Sequence, residues 1–204
     1  MLADGARPES RSHGASLPLL VADVLAEARV ALDEVDALAV SIGPGSFTGL
    51  RIGLGWAKGV ALAGGIPIVP VGTLDALAHV AGAAPGERIC AALDARKSEV
   101  YAALYAMTEA GPEPLGAPEA LRPADLARRL VAPCVLVGDA AEVYRDVLAP
   151  HARLLPFATH HPRGSAVARL GAELLARGGG RNPGDVEPVY VRPPEAELTR
   201  AGSR

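Results

Sequence analysis

A glycine-rich segment, Gly43 to Gly53, combines the residue types and spacing in this sequence that could bind an anionic ligand. It follows the apolar run 37–42, which predicts a buried strand, and leads into a predicted helix from about Gly49 to Ala63, capped by Ser46 or Thr48. Glycines let the backbone approach a phosphate closely, and free N–H groups at a helix N-terminus point toward it. In this interpretation the phosphate or nucleotide contacts come from Gly43, Gly45, Ser46, Thr48 and Gly49.

The spacing of this segment departs from both standard nucleotide-binding patterns. In a P-loop a Lys-Ser or Lys-Thr pair follows the last glycine, and Leu50-Arg51 stands there instead. The dinucleotide-binding pattern needs a last glycine spacing one residue shorter than the one found here. The spacing alone therefore favours a tight strand-to-helix turn over a phosphate site.

The predicted helix carries a ridge of small residues at intervals of four. Glycine costs roughly 1 kcal/mol per helix position relative to alanine, and close approach by another helix is the usual compensation. The ridge either packs inside its own lobe or forms a helix bundle with another subunit, and the residues alone do not decide between the two. Its members are Gly49, Gly53, Ala57 and Ala61.

The remaining residues that could do chemistry favour structural roles. His160 and His161 are adjacent, so on a strand their side chains would point to opposite faces, which is unfavourable for joint metal binding. Asp94 and Glu99 flank a turn that also holds Arg96 and Lys97. A solvated charged turn is favoured there over a catalytic carboxylate pair, and we predict no catalytic residue and no metal ligand.

Composition limits the class of protein. The chain has 204 residues and a formal net charge of −3, which argues against a dedicated, basic RNA-binding domain. Cys90 and Cys134 lie in apolar runs, and we expect two buried free thiols. Neither a signal-peptide pattern nor an apolar run of membrane-spanning length is present, so we expect a soluble, cytoplasmic protein.

Predicted strands alternate with predicted helices, which indicates the α/β class with a largely parallel sheet. Residues 88–93 and 99–107 are expected to form a hairpin, and Ser16 to cap a first helix. A turn cluster at residues 83–86 suggests a boundary between two lobes. We therefore predict an N-terminal lobe at 1–86 and a second lobe at 87–204 that ends in a helix and an extended tail.

Residues 41–53, Ser-Ile-Gly-Pro-Gly-Ser-Phe-Thr-Gly-Leu-Arg-Ile-Gly, resemble the signature of the TsaB (YeaZ) family, which is glycoprotease-like. Other segments are similar to that family, among them 11–13 (Arg-Ser-His), 93–101 (Leu-Asp-Ala-Arg-Lys-Ser-Glu-Val-Tyr) and the tail, where 189–192 (Val-Tyr-Val-Arg) precedes Glu-Ala-Glu. The resemblance covers nearly the whole chain.

The resemblance implies a two-lobed fold of the actin-like ATPase and Hsp70 type, which is ribonuclease H-like. Members of the family pair with the catalytic paralogue TsaD, and TsaE joins as an ATPase. Together these proteins transfer a threonylcarbamoyl group to N6 of adenosine 37 in tRNAs that read codons starting with A. By this resemblance the chain is a non-catalytic subunit that forms a homodimer when alone and meets tRNA only through the complex.

In that family the first two helices of the N-terminal lobe form a bundle with the partner. Carried over to this sequence, the partner interface would consist of Leu20, Val24, Leu50, Gly53, Leu54, Ala57 and Ala61. The resemblance implies no cofactor for the chain alone and leaves open whether ATP or ADP binds at the interface of the complex. The alternative is an enzyme, either an actin-fold ATPase or a TsaD-like metalloprotease or transferase, but the His-x-x-x-His pair of TsaD is absent from this sequence.

Family members open with a strand that carries an Ile-Asp-Thr-Ser-like segment and turns back in a hairpin. Here only residues 2–10 precede the Arg-Ser-His segment at 11–13. The first strand and most of the second have no counterpart, so the N-terminal lobe is expected to be incomplete. We therefore expect that the native protein begins upstream of Met1; a true truncation that a partner rescues is the alternative.

Overall fold

The structure is a computed structural model that describes residues 1–6 and 13–192. Two family-like segments, residues 11–12 and residues 195–197 (Glu-Ala-Glu), lie outside the described residues. Helices and strands alternate along most of the described chain. This order confirms the predicted α/β class.

Seven α-helices and eight strands occur in the described ranges 1–6 and 13–192. The helices are α1 His13–Ala28, α2 Phe47–Gly64, α3 Thr73–His79, α4 Pro123–Ala127, α5 Ala140–Val143, α6 Arg145–Leu148 and α7 Gly164–Ala176. The strands are β1 Leu38–Gly43, β2 Ile68–Gly72, β3 Arg88–Arg96, β4 Glu99–Thr108, β5 Gly111–Pro114, β6 Glu119–Leu121, β7 Cys134–Val137 and β8 Arg153–Leu154.

The chain divides into two compact units, and the division differs from the predicted boundary at residues 86–87. Unit 1 comprises Met1–Gly72 and Arg163–Pro188, and unit 2 comprises Thr73–Pro162 and Val189–Arg204. The first unit therefore includes α7, which the order of the sequence assigned to the second lobe. The second unit starts with α3, which the sequence assigned to the first lobe.

Packing explains this division. Gly171 of α7 is buried, and a Cβ at this position would stand 2.3 Å from the Cβ of Ala39 on β1. The glycine thus lets α7 lie directly on the strand. Leu74 and Leu77 of α3 are instead buried in an apolar cluster of unit 2. The turn residues at 83–86, on which the predicted boundary rests, give no information about either of these contacts.

Unit 1 is built on the parallel strands β1 and β2, with Leu38 opposite Ile68. Helix α2 packs on β1, and α7 packs on both strands. Helix α1 packs against α2, and none of its residues 16–28 is fully buried. One apolar cluster in the core of the unit consists of Leu54, Ala57, Ala61, Ile68 and Val186.

Helix α2 has defined signals at both ends. The Ser46 Oγ accepts a hydrogen bond from the N–H of Gly49 at 3.3 Å, which confirms the predicted cap. Gly65 ends the helix in the left-handed conformation, with φ of 65°. The predicted cap of α1 at Ser16 is wrong, because the helix already begins at His13 and accommodates Pro18.

Unit 2 contains a mixed sheet in the order β5-β4-β3-β7-β8, with β6 also paired to β4. Strands β3 and β4 form the predicted antiparallel hairpin, with Cys90 opposite Leu104. Strands β3, β7 and β8 run parallel, and Cys90 pairs with Leu136 of β7. Apolar side chains cover both faces of this sheet, one face with Leu77 and the other with Leu126.

The two cysteines are free and buried, as predicted. Burial in the apolar sheet raises the pKa of the Cys90 thiol above its usual range, and burial raises the pKa of the Cys134 thiol to about 11. Both groups are therefore protonated near neutral pH and pack as small apolar side chains.

The turn between β3 and β4 stores backbone strain. Arg96, Lys97 and Ser98 have φ values of 60°, 53° and 59°. For residues other than glycine, this left-handed region costs about 1–2 kcal/mol per residue. We expect Ser98→Gly to raise the free energy of unfolding by about 1 kcal/mol, measured by urea denaturation.

The control for this prediction is Ser98→Ala, which removes the hydroxyl but keeps the Cβ that causes the strain. It should leave the free energy of unfolding below that of the glycine variant. Equal stability of the two variants would show that left-handed strain at Ser98 does not affect folding.

Candidate functional site

The glycine-rich segment forms the turn from β1 into α2. Gly43 ends the strand, is buried and has φ of 118°, a backbone conformation that favours glycine. It lies opposite Gly72, after an irregularity in the register of β1 and β2. This glycine is therefore required by the backbone, whether or not a ligand binds.

Gly45, Ser46, Thr48 and Gly49 lie at the N-terminus of α2. A Cβ at Gly45 would have no atom within 4 Å, so open space adjoins this residue. Ser46 and Thr48 are exposed, but the N–H of Gly49 already donates to Ser46 Oγ. The geometry is that of a capped helix N-terminus, and contact of these residues with a phosphate or nucleotide stays a prediction.

Helix α1 leaves several apolar side chains only partly buried. Leu20 and Val24 are half-buried, and Leu19 is 57% exposed. The backbone of Gly5 passes beside the first two, because a Cβ on Gly5 would stand 2.8 Å from Val24 and 3.0 Å from Leu20. The N-terminal residues thus cover part of this face and leave the rest open.

The predicted interface on α2 divides into two sets of residues. Leu50 and Gly53 are half-buried at the surface, and a Cβ added at Gly53 would have no atom within 4 Å. Leu54, Ala57 and Ala61 are only 4%, 2% and 0% exposed and pack in the core of unit 1. The predicted interface is corrected at these three positions, because their spacing of three and four places them on the side of α2 that faces the strands.

A pair of carboxylates that residue order did not reveal lies at the ends of β3 and β7. Asp139 Oδ1 accepts the N–H of Asp94 at 2.7 Å, and Asp94 Oδ1 accepts the hydroxyl of Tyr144 at 2.9 Å and the N–H of Arg96 at 2.9 Å. Asp94 is therefore tied into the fold rather than solvated as predicted. Pairing of β3 with β7 brings these residues together across more than 40 positions of sequence.

Burial raises the pKa of Asp139 above its usual range, and the nearby charge of Asp94 raises it further. Folding thus favours the protonated carboxyl over the carboxylate. Above the folded-state pKa the group is charged in both the folded and the unfolded state, and burial of this charge then lowers the free energy of unfolding by its full amount. This destabilisation disappears as the pH falls below the unfolded-state value. We expect Asp139→Asn, which keeps the acceptor for Asp94, to be more stable than the original protein at neutral pH.

Denaturant titrations from neutral to acidic pH test this expectation. The stability gain of Asp139→Asn should shrink as the pH falls through the window between the two pKa values. Asp146→Asn, a change at an exposed aspartate of α6, serves as the control. A gain that stays constant with pH would contradict the assignment of the effect to the buried charge.

His160 and His161 interact with different neighbours. His160 Nδ1 lies 2.8 Å from Thr159 Oγ1, and His161 Nδ1 lies 3.3 Å from the carbonyl oxygen of Phe157. Within residues 1–6 and 13–192, no three His, Cys, Asp or Glu side chains come together as a group that could hold a metal ion.

No helix in the described part of the chain is long and apolar enough to cross a membrane.

Comparison with known proteins identifies a family. The model of the family described as TsaD, tRNA N6-adenosine threonylcarbamoyltransferase, matches residues 4–177. The Bacillus subtilis tRNA threonylcarbamoyladenosine biosynthesis protein TsaB is 30% identical over 92% of this chain and 82% of its own length. The Escherichia coli TsaB is 43% identical over 50% of this chain, and the Haemophilus influenzae TsaB is 41% identical over 45% of it. These two matches span only 44% and 39% of the relatives' own lengths.

Solved structures show the same fold. YeaZ from Pseudomonas aeruginosa has a TM-score of 0.78 at 33% identity, and the match covers 90% of this chain and 86% of that one. The crystal structure of an uncharacterized protein with similarity to peptidase YeaZ from the same organism has a TM-score of 0.76 at 33% identity, over 89% of this chain and 85% of that one. The likeness confirms the predicted actin-like, ribonuclease H-like α/β fold.

Proposed function

Because this chain belongs to the TsaB family, we propose that it is a non-catalytic partner subunit of a TsaD-like protein. The complex would act in tRNA threonylcarbamoyladenosine biosynthesis, the role that the name of the Bacillus subtilis relative gives. Its reaction would be transfer of a threonylcarbamoyl group to N6 of adenosine 37, in tRNAs that read codons starting with A. The TsaD-like partner would supply the reacting groups.

The observation that carries this proposal is the helix-pair surface, which we define as Leu20, Val24, Leu50 and Gly53. These residues are half-buried on two helices that pack against each other in unit 1, and Gly5 covers one side of Leu20 and Val24. Apolar surface that a chain leaves open on adjacent helices is typical of protein–protein contact. The surface is therefore suited to cover the corresponding helices of a partner.

Gly53 gives this surface its shape. With no side chain on Gly53, the backbone of a partner helix can approach α2 closely. Two helices from each subunit would then form a four-helix contact. The same surface is self-complementary in this arrangement, so in the absence of the TsaD-like protein two copies of the chain would pair through it.

The turn at the start of α2 would serve the complex rather than the isolated chain. The turn and the N-terminus of α2 have open space beside Gly45, and a helix N-terminus favours anions. The contacts would come from Gly43, Gly45, Ser46, Thr48 and Gly49. We place an ATP or ADP phosphate there only in the assembled complex, which a TsaE-like ATPase would join. The chain alone would hold no cofactor.

Co-expression with the TsaD-like protein of the same organism tests the proposal. The two proteins should co-purify and elute together as one species of defined mass. Elemental analysis of the chain purified alone should show no stoichiometric iron or zinc. Separate elution at micromolar concentration, or a stoichiometric metal in the isolated chain, would contradict the partner role.

A further inference from the structure

The turn between β3 and β4 is held in an unfavourable conformation by contacts outside the turn itself. Its residues Arg96, Lys97 and Ser98 are all left-handed and exposed. Backbone strain of this kind persists only where surrounding structure fixes it, and it is concentrated at functional sites. The contacts that fix the turn also indicate which of its side chains are exposed to solvent.

Four hydrogen bonds hold the base of the turn. The carboxylate of Asp94 accepts the N–H of Arg96 and the hydroxyl of Tyr144, each at 2.9 Å. Arg192 donates to the carboxylate of Glu99 at 2.5 Å and to the carbonyl oxygen of Ala95 at 3.2 Å. The acidic side chains on both sides of the turn are thus bonded within unit 2.

The cationic side chains of the turn are exposed, in contrast to these carboxylates. Glu99 is 35% exposed and bonded to Arg192, and the side chain of Arg96 is exposed to solvent. Arg122 is also exposed and follows Leu121, which pairs with Val100. Arg122 therefore lies level with Glu99, at the same end of β4.

We propose that Arg96 and Arg122 form a contact surface for the phosphate backbone of a folded RNA, an inference that rests on the proposed function. Guanidinium groups bind phosphate oxygens in a bidentate manner, and a turn that is already fixed loses little entropy on binding. The formal net charge of −3 means that attraction must come from such a local surface. The contact would position an RNA that another subunit binds mainly.

The test compares the double variant Arg96→Gln, Arg122→Gln with a matched double variant in unit 1. The matched variant is Arg163→Gln, Arg169→Gln, because both arginines are exposed and Arg163, like Arg122, is the N-cap residue of a helix without a side-chain capping bond. Binding of the complex between the full-length chain and the TsaD-like protein to an unfractionated tRNA mixture is measured by fluorescence anisotropy between 25 and 200 mM salt, roughly the range over which phosphate contacts weaken.

The double variant Arg96→Gln, Arg122→Gln should bind tRNA about tenfold more weakly at the lowest salt. The slope of log affinity against log salt should fall by about two. The matched variant should bind like the original chain. Equal weakening in both variants, no weakening in either, or no binding of tRNA by the original complex at the lowest salt would overturn the proposal. Displacement of tRNA by millimolar inorganic phosphate would also overturn it, in favour of a small-anion site.

Co-purification with the TsaD-like protein is recorded for the same variants. It should be unchanged, because Arg96 and Arg122 belong to unit 2 and the helix-pair surface belongs to unit 1. Retained association without a tRNA effect would overturn this inference alone. Failure of the original chain to co-purify with the TsaD-like protein would instead overturn the proposed function.

Discussion

Gly53→Leu is expected to weaken association with the TsaD-like protein by about 10- to 100-fold, enough to abolish co-purification. A leucine fits on the isolated chain, since a Cβ at this position has no atom within 4 Å. In the complex the same side chain would occupy the space of the partner helix, and overpacking of this kind costs about 1–3 kcal/mol. Co-purification and light scattering of the mixed proteins measure the effect.

Gly55→Leu is the control for this variant. Gly55 lies on the same helix, is exposed and likewise has open space around a Cβ, but it points about 200° away from Gly53 around the helix axis. Both substitutions raise helix propensity equally, so any difference in association reports position alone. Association that survives Gly53→Leu would show that this surface does not bind the partner.

Gly138→Ala should destabilise unit 2 by about 3 kcal/mol or more, which corresponds to a fall in Tm of about 10 °C. Gly138 follows β7 with φ of 115°, and a Cβ there would stand 2.0 Å from the carbonyl oxygen of Ala92. Because that oxygen belongs to the backbone of β3, relief requires movement of a strand. Differential scanning calorimetry measures the change.

Gly116→Ala provides the comparison, since Gly116 is exposed in the same unit and a Cβ there meets no atom within 4 Å. Its effect should stay within about 0.5 kcal/mol. A Tm for Gly138→Ala close to that of Gly116→Ala would mean that β3 and β7 are not packed as closely as the structure shows.

Local signals in the sequence predict the elements that position the candidate site. Ser46 precedes a helical run and caps it, and the apolar run before Gly43 forms a strand as expected. The hairpin of β3 and β4 follows from two apolar runs around a charged turn. Each of these features depends on residues within a few positions of one another.

Features that depend on distant packing could not be predicted. The small-residue ridge of α2 gives no indication that Ala57 and Ala61 face the strands while Gly53 lies at the surface. Tyr144 and Asp139 meet Asp94 only because β7 pairs with β3. The placement of α7 in unit 1 depends likewise on Gly171 lying against Ala39.

The most direct measurement of the central claim is the amount of threonylcarbamoyladenosine formed in unmodified tRNA by purified proteins. The chain, the TsaD-like protein and the TsaE-like ATPase are tested singly and together, with ATP and a threonylcarbamoyl-adenylate source. A partner subunit predicts no product from the chain alone and full formation only when the chain joins the other two. The same amount of threonylcarbamoyladenosine without the chain as with it, or product formed by the chain alone, would contradict its assignment as a non-catalytic subunit.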